Sequence, residues 1–123
     1  MILVDTSIWI DYLRSGHTRL AQALQLNEVS IHPFVIGELA CGNLKERPTV
    51  LGLLAGLPSL RMLESHEVLF FIEHQKLMGR GMGHIDVHLL AATVIATDTK
   101  LWTRDLKLLN AAKALGVAFM GAH

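Results

Sequence analysis

Four carboxylates stand where charge is awkward. Asp5 closes the apolar run Met1 to Val4, at the mouth of what reads as a buried strand. Glu38, in "PFVIGELACG", lies one helical turn from Phe34 and Val35 behind it and from Cys41 and Gly42 ahead, the neighbours met at i±3 and i±4. Asp86, in "HIDVHLLAA", looks back to Met82 and forward to Leu89 and Leu90, and Asp105, in "LWTRDLKLL", looks forward to Leu108 and Leu109. On this spacing each acid is expected to face the core, where a charge must be hydrated, paired or bound to a cation. If the four converge, each pair about 5 Å apart repels by roughly 3 kcal/mol at an effective dielectric of 20, and a proton or a cation must relieve the strain. An all-oxygen donor set without cysteine favours a hard divalent ion, Mg²⁺ or Mn²⁺, which keeps part of its water shell and accepts phosphate oxygens. Such an ion lowers the pKa of its water and shields charge developing at phosphorus. The implied chemistry is hydrolysis of a phosphodiester.

Each acid also has a plainer reading. Asp105 could cap the last helix, Asp86 could answer a helix dipole, and Asp5 could be a turn residue. Glu38 is the hardest to dismiss, because a mid-helix carboxylate with apolar neighbours on both sides is seldom buried unless paired.

The elements that must position these residues follow from apolar periodicity and punctuation. A strand at residues 2–4 precedes helices at 7–13 and 18–26, and a short strand at 29–32 leads into Pro33, which suits the first turn of a helix to about residue 44. Further helices are expected at 47–54, at 66–78 with Ser65 as cap, at 85–96 and at 106–115. Strands are expected at 61–63, 100–103 and 117–120. Short apolar strands alternating with helices indicate an α/β class, a three-layer α/β/α sandwich around a mainly parallel sheet of about five strands. Asp5 and Asp105 directly follow strands, at the carboxyl ends where open α/β sheets form their ligand crevices.

At 123 residues the chain is read as one domain, 1–123. An apolar fraction of 51% points to exposed apolar surface meant for a partner. The N-terminal apolar run meets Asp5 too soon for a membrane span or a signal-peptide core, and a lone cysteine, Cys41, suits a reducing compartment as a small core residue; the expectation is a cytoplasmic protein with no membrane association. The net charge is zero, yet four acids gathered in a cleft leave eleven basic residues against seven acidic ones elsewhere, an excess of four that could guide a polyanion inward.

The stretches "LVDTSIWID", "ELACG", "GHIDVHLLAA" and "LWTRDLKLL", in that order along nearly the whole chain, resemble PIN-domain ribonucleases, most closely the VapC-type toxins of bacterial toxin-antitoxin pairs. The resemblance implies a PIN-like five-stranded sheet, with Asp5, Glu38, Asp86 and Asp105 as the acidic metal centre and Ser7 and Thr103 as nearby polar support. It further implies Mg²⁺- or Mn²⁺-dependent endonucleolytic cleavage of RNA, a homodimer, and inhibition by a cognate antitoxin whose tail crosses an apolar groove near the site. Asp98 departs from many relatives, which carry a small residue there, and reads as a turn residue.

Other residues have competing roles. Arg80, in the glycine-rich "GRGMGH", and Arg104, beside Asp105, could approach RNA phosphates or simply be solvated. His84 and His88 have the i, i+4 spacing of two metal ligands but lack an HExxH pattern or a third partner. Asp11 marks the solvent side of the first helix, and Trp9 and Trp102 read as core or dimer surface. Two other functions compete with the ribonuclease. A haloacid-dehalogenase-type phosphatase would use Asp5 as nucleophile but needs an aspartate two residues on, where Ser7 stands. A non-catalytic PIN fold that only binds RNA or a partner would not need all four acids.

Overall fold

Ile2, Leu3 and Val4 are all buried, so the first strand, β1 (Ile2–Val4), must have neighbours on both edges. The computed structural model describes residues 1–121. In chain order β1 is followed by α1 (Thr6–Ser15), α2 (Thr18–Gln25), β2 (Val29–Ser30), α3 (Pro33–Ala40), α4 (Arg47–Ala55), α5 (Ser65–Gln75), α6 (His84–Ile95), β3 (Lys100–Trp102) and α7 (Leu106–Ala114). The sheet order is β2-β1-β3, all parallel, with Leu3 opposite Ser30 on one side and Leu101 on the other. The crossover from β1 to β2 and the crossover from β2 past β1 to β3 run in opposite directions across the sheet, so right-handed connections put their helices on opposite faces.

The expected five-stranded sheet is corrected to three strands. Each outer position is occupied at one residue only, by parallel bridges of Ser59 to Ile31 and of Ala118 to Leu101. Ile31 donates to the Pro58 carbonyl at 2.8 Å and accepts from Leu60 N at 2.9 Å, but the next donor on that strand would be Pro33, which has no N–H and opens α3, so pairing stops short of the expected strand at 61–63. On the other edge Gly116, at φ +73°, turns the chain just before Val117, leaving only the bonds from Leu101 N to Val117 O and from Phe119 N to Leu101 O.

One apolar core unites the elements, with Leu3, Val4, Leu20, Val35, Val68, Leu89, Leu90, Leu101 and Leu108 fully buried. Trp9 and Trp102 belong to it; Trp102 meets the His17 ring edge-on at 5.2 Å. Cys41 does not. It is exposed at the C-cap of α3, contrary to the expected core position, because that helix ends at Ala40 rather than near residue 44. The Arg47 guanidinium folds back to donate to the carbonyls of Ala40 (2.7 Å) and Gly42 (3.1 Å), satisfying acceptors that a longer helix would have used itself. A second shift concerns α5, whose N-cap is Glu64 and not Ser65. Glu67 accepts from the Glu64 N–H at 2.9 Å and is gripped by both terminal nitrogens of Arg61, which with that backbone bond holds its carboxyl down to about 2. Asp98 lies in a turn, as expected.

Because Arg47 serves carbonyls that have no other donor, Arg47→Ala is expected to lower stability by about 1 kcal/mol and to loosen the α3–α4 corner. The check is a urea unfolding midpoint, and an unchanged midpoint would contradict the capping role.

Candidate active site

Asp5 ends β1 and begins α1. Its backbone N–H extends the ladder to the Trp102 carbonyl (2.9 Å), while its side chain, buried at 8% exposure, caps the helix by accepting from Thr6 N at 2.7 Å through Oδ1. Oδ2 accepts from the buried Thr103 hydroxyl at 2.8 Å, so both oxygens are held at once. Thr103 in turn accepts from Asp105 N at 3.1 Å. The segments after β1 and after β3 are thereby tied together by one hydroxyl.

Asp105 repeats the pattern of Asp5. It is the N-cap of α7, with Oδ1 accepting from Leu108 N at 2.9 Å. Asp86 stands in the first turn of α6, three residues after its N-cap, Gly83. Glu38 lies on α3 and accepts from the Thr6 hydroxyl at 2.7 Å. The expectation that all four face the core is corrected here: Asp5 is buried and Asp86 half-buried, but Glu38 and Asp105 are exposed. Glu38 and Asp105 stay exposed because, among the described residues, no other element covers the part of α3 and the start of α7 that carry them, whereas Asp5, also an N-cap, is enclosed between the strand ends.

Asp86 reports how near the others are. Burial pushes its carboxyl up to about 6, and the negative charges of Asp5, Asp105 and Glu38 add to the rise in that order, against a hydrogen bond from the Gly83 backbone. The four acids therefore share one electrostatic environment. Among the described residues none of them is paired with a lysine or arginine: the ion pairs are Arg61 with Glu67, His66 with Glu64 and Arg104 with Asp11. Nor do three acid, histidine or cysteine side chains among those residues close into a ready cage for an ion. Uncompensated carboxylates hold apart, and Mg²⁺ is commonly bound through one or two carboxylates with the remaining positions filled by water. An open, all-oxygen, electronegative site fits such an ion.

The neighbouring residues divide. Thr103 supports the carboxylates directly. Ser7 is half-buried on the first turn of α1, where its carbonyl accepts from Arg104 at 3.4 Å. Arg104 is turned away to Asp11, so Asp11 is a partner rather than a bare solvent residue. Arg80 is exposed in the glycine loop. His88 is buried and His84 exposed, their rings edge-on at 4.7 Å.

Two residues escaped sequence reasoning. Thr6 orients Glu38, and the only hint was a hydroxyl placed next to Asp5. Lys107 lies across the glycine loop: a Cβ at Gly81 would stand 2.7 Å from Lys107 Nζ and push the flexible lysine end aside, and Gly81 holds φ +78°, a conformation that strains any other residue. Nothing in the spacing signalled that contact.

No family model matches the chain. Among curated proteins it is 44% identical over 118 residues, 96% of this chain and 95% of the relative, to "Ribonuclease VapC32" of Mycobacterium tuberculosis, in both strain CDC 1551 / Oshkosh and strain H37Rv. Among solved structures, FitAB bound to an IR36 DNA fragment superposes with a TM-score of 0.65 at 23% identity, over 98% of this chain and 94% of that one, a likeness of fold. At the identity and coverage of the first match, the chain belongs to the VapC-type PIN-domain ribonucleases.

Proposed function

We propose that this protein is a divalent-metal-dependent endoribonuclease, the toxin of a toxin-antitoxin pair acting in the cytoplasm, and that Asp5, Glu38, Asp86 and Asp105 hold Mg²⁺ or Mn²⁺. The observation that carries this reading is the 44% identity over 96% of the chain to Ribonuclease VapC32, and the raised Asp86 carboxyl, whose causes after burial are the other three acids, supports a shared site. A site that holds back its own ionisation is built to take up a positive guest. When bound, the ion supplies a more acidic water and neutralises charge at the scissile phosphate. The chain's own residues do the positioning. Thr103 and the Thr6 N–H hold Asp5, the Thr6 hydroxyl holds Glu38, and the α7 N-terminus holds Asp105. Arg80 is free to meet an RNA phosphate, whereas Arg104 must first leave Asp11.

Partners follow the same reading. A groove of about 350 Å³ runs beside Glu38, lined by Ile10, Leu13, Leu39, Leu44 and Val50, with Arg14 and Lys45 at its rim. It suits an apolar antitoxin segment that ends at the acids. Leu69 and Phe70, exposed on α5, are apolar surface for a homodimer. Among the described residues no helix is long and apolar enough to cross a membrane. Both oxygens of Asp5 are engaged, which disfavours Asp5 as a phosphatase nucleophile, and the ribonuclease name of the M. tuberculosis relative disfavours a binding-only fold.

Asp5→Asn should abolish RNA cleavage and weaken Mn²⁺ binding at least tenfold in calorimetry while leaving the circular dichroism spectrum unchanged, since the amide oxygen can still cap α1. A fully active variant would reject the assignment. The raised Asp86 carboxyl makes a separate prediction for metal-free protein. Its folded pKa of about 6 lies above the ordinary value of 3.8, so its folding contribution is most favourable below 3.8 and is lost as pH rises through 6. Asp86→Asn should therefore raise the apo melting temperature near neutral pH, with the gain fading toward pH ~4. A gain of equal size at both ends would show that charge is not its cause.

A further inference from the structure

The helices that carry Glu38 and Asp86 are joined by a small aromatic cluster that the proposed chemistry does not use. His32 is the N-cap of α3 and is completely buried. Its Nδ1 accepts from Phe34 N at 3.0 Å, so in the neutral ring the hydrogen sits on Nε2. Burial, with a smaller effect from His88, lowers the His32 pKa to about 4 and keeps that ring neutral at physiological pH. His88, on α6, is 4% exposed. Phe34 packs against both, 5.3 Å from the His32 ring and edge-on to the His88 ring at 4.7 Å. Phe34 and Glu38 are four residues apart, so the face of α3 that presents Glu38 is also the face that rests on His88.

Among the described residues, two polar atoms in this cluster find no hydrogen-bond partner: His32 Nε2 and His88 Nδ1. Each alone carries a full desolvation penalty, and buried polar groups are rarely left so. Together they are complementary, a donor on α3 and a potential acceptor on α6. The ring centroids are 6.4 Å apart at an interplanar angle of 63°. That separation is too long for a direct bond of about 3 Å between ring nitrogens and suits two successive hydrogen bonds through a single water. Leucines could fill the same volume but could not fix a direction.

We propose that His32 and His88 are positioning residues joined through one ordered water, His32 Nε2–H donating to it and it donating to His88 Nδ1, and that this link sets the spacing of Glu38 and Asp86. The pair touches neither ion nor RNA; it acts through the two helices. The role rests on the four-carboxylate reading above, and the link itself does not.

The link is tested on wild-type protein by long-range proton-nitrogen NMR at neutral pH. Both rings are expected to be neutral and protonated on Nε2; a His88 protonated on Nδ1 overturns the link. The role is tested by Mn²⁺ calorimetry. His32→Leu and His88→Leu should each weaken binding about tenfold, the double variant should be no weaker than the worse single one, and His88→Asn, whose amide oxygen can stand near the Nδ1 position, should recover most of the loss. Wild-type affinity in the leucine variants, additive losses, or an asparagine variant as weak as the leucine one overturns the role. Wild type and Asp5→Asn are measured alongside. If wild type binds no Mn²⁺, or Asp5→Asn binds as tightly, the carboxylate reading has failed and the role falls with it. If they differ as expected while the histidine variants match wild type, only the positioning role has failed.

Discussion

Negative charge gathered at the carboxyl end of a short parallel sheet is the constraint around which this protein is arranged. Four carboxylates without a lysine or arginine partner among the described residues would drive their segments apart, and the fold answers with helix N-termini. Asp5 and Asp105 cap α1 and α7, and Asp86 lies in the first turn of α6, so three of the four sit where backbone N–H groups and the positive end of a macrodipole favour an anion. The plain and the chemical readings of these residues are therefore not rivals. Capping supplies the local stability that lets an electrostatically costly site exist in the absence of an ion. Glu38 has no helix end to lean on, and it takes a hydroxyl from Thr6 instead.

Two threonines turn this set of separate caps into one unit. Thr103 bridges the strand ends by donating to Asp5 and accepting from Asp105 N, and Thr6 donates a backbone hydrogen bond to Asp5 and a side-chain one to Glu38. A displacement of β3 relative to β1 would be felt first at Thr103 Oγ1, because that hydroxyl is buried and has no solvent to replace its partners. The parallel pairing of Val4 with Trp102, one residue before each acid segment, is what holds this register. The sheet can thus be only three strands wide and still define the site, since the strands that matter are the adjacent pair β1 and β3.

The sequence was informative where hydrophobic runs and acids coincide, and silent where a distant partner decides the outcome. β1, β3 and every helix could be read from apolar periodicity, and the four acids from their neighbours. The ends of elements could not. Residues 41–44 continue the helical pattern of α3 until Arg47, several residues away, takes the final carbonyls. The strands expected at 61–63 and 117–120 are apolar enough, but Pro33, where β2 gives way to α3, and the turn at Gly116 limit each edge to one bridge. Burial was misjudged for Glu38, Asp105 and Cys41 for one shared reason: neighbours at i±3 and i±4 describe a helix face, but whether another element covers that face is settled by the tertiary fold.

The placement of positive charge argues most strongly about purpose. Eleven lysines and arginines are available, and Arg104 directly precedes Asp105 in the chain. An arginine so near four carboxylates is the obvious internal counterion, and a fold under pressure only to be stable would be expected to aim it inward. Arg104 instead reaches along α1 to Asp11 and the Ser7 carbonyl, two positions on the same side of that helix. An exposed ion pair of this kind adds little stability in itself. Its larger effect is to place the guanidinium on α1 and not among the acids, so that among the described residues the ion pairs leave the four carboxylates without an arginine or lysine.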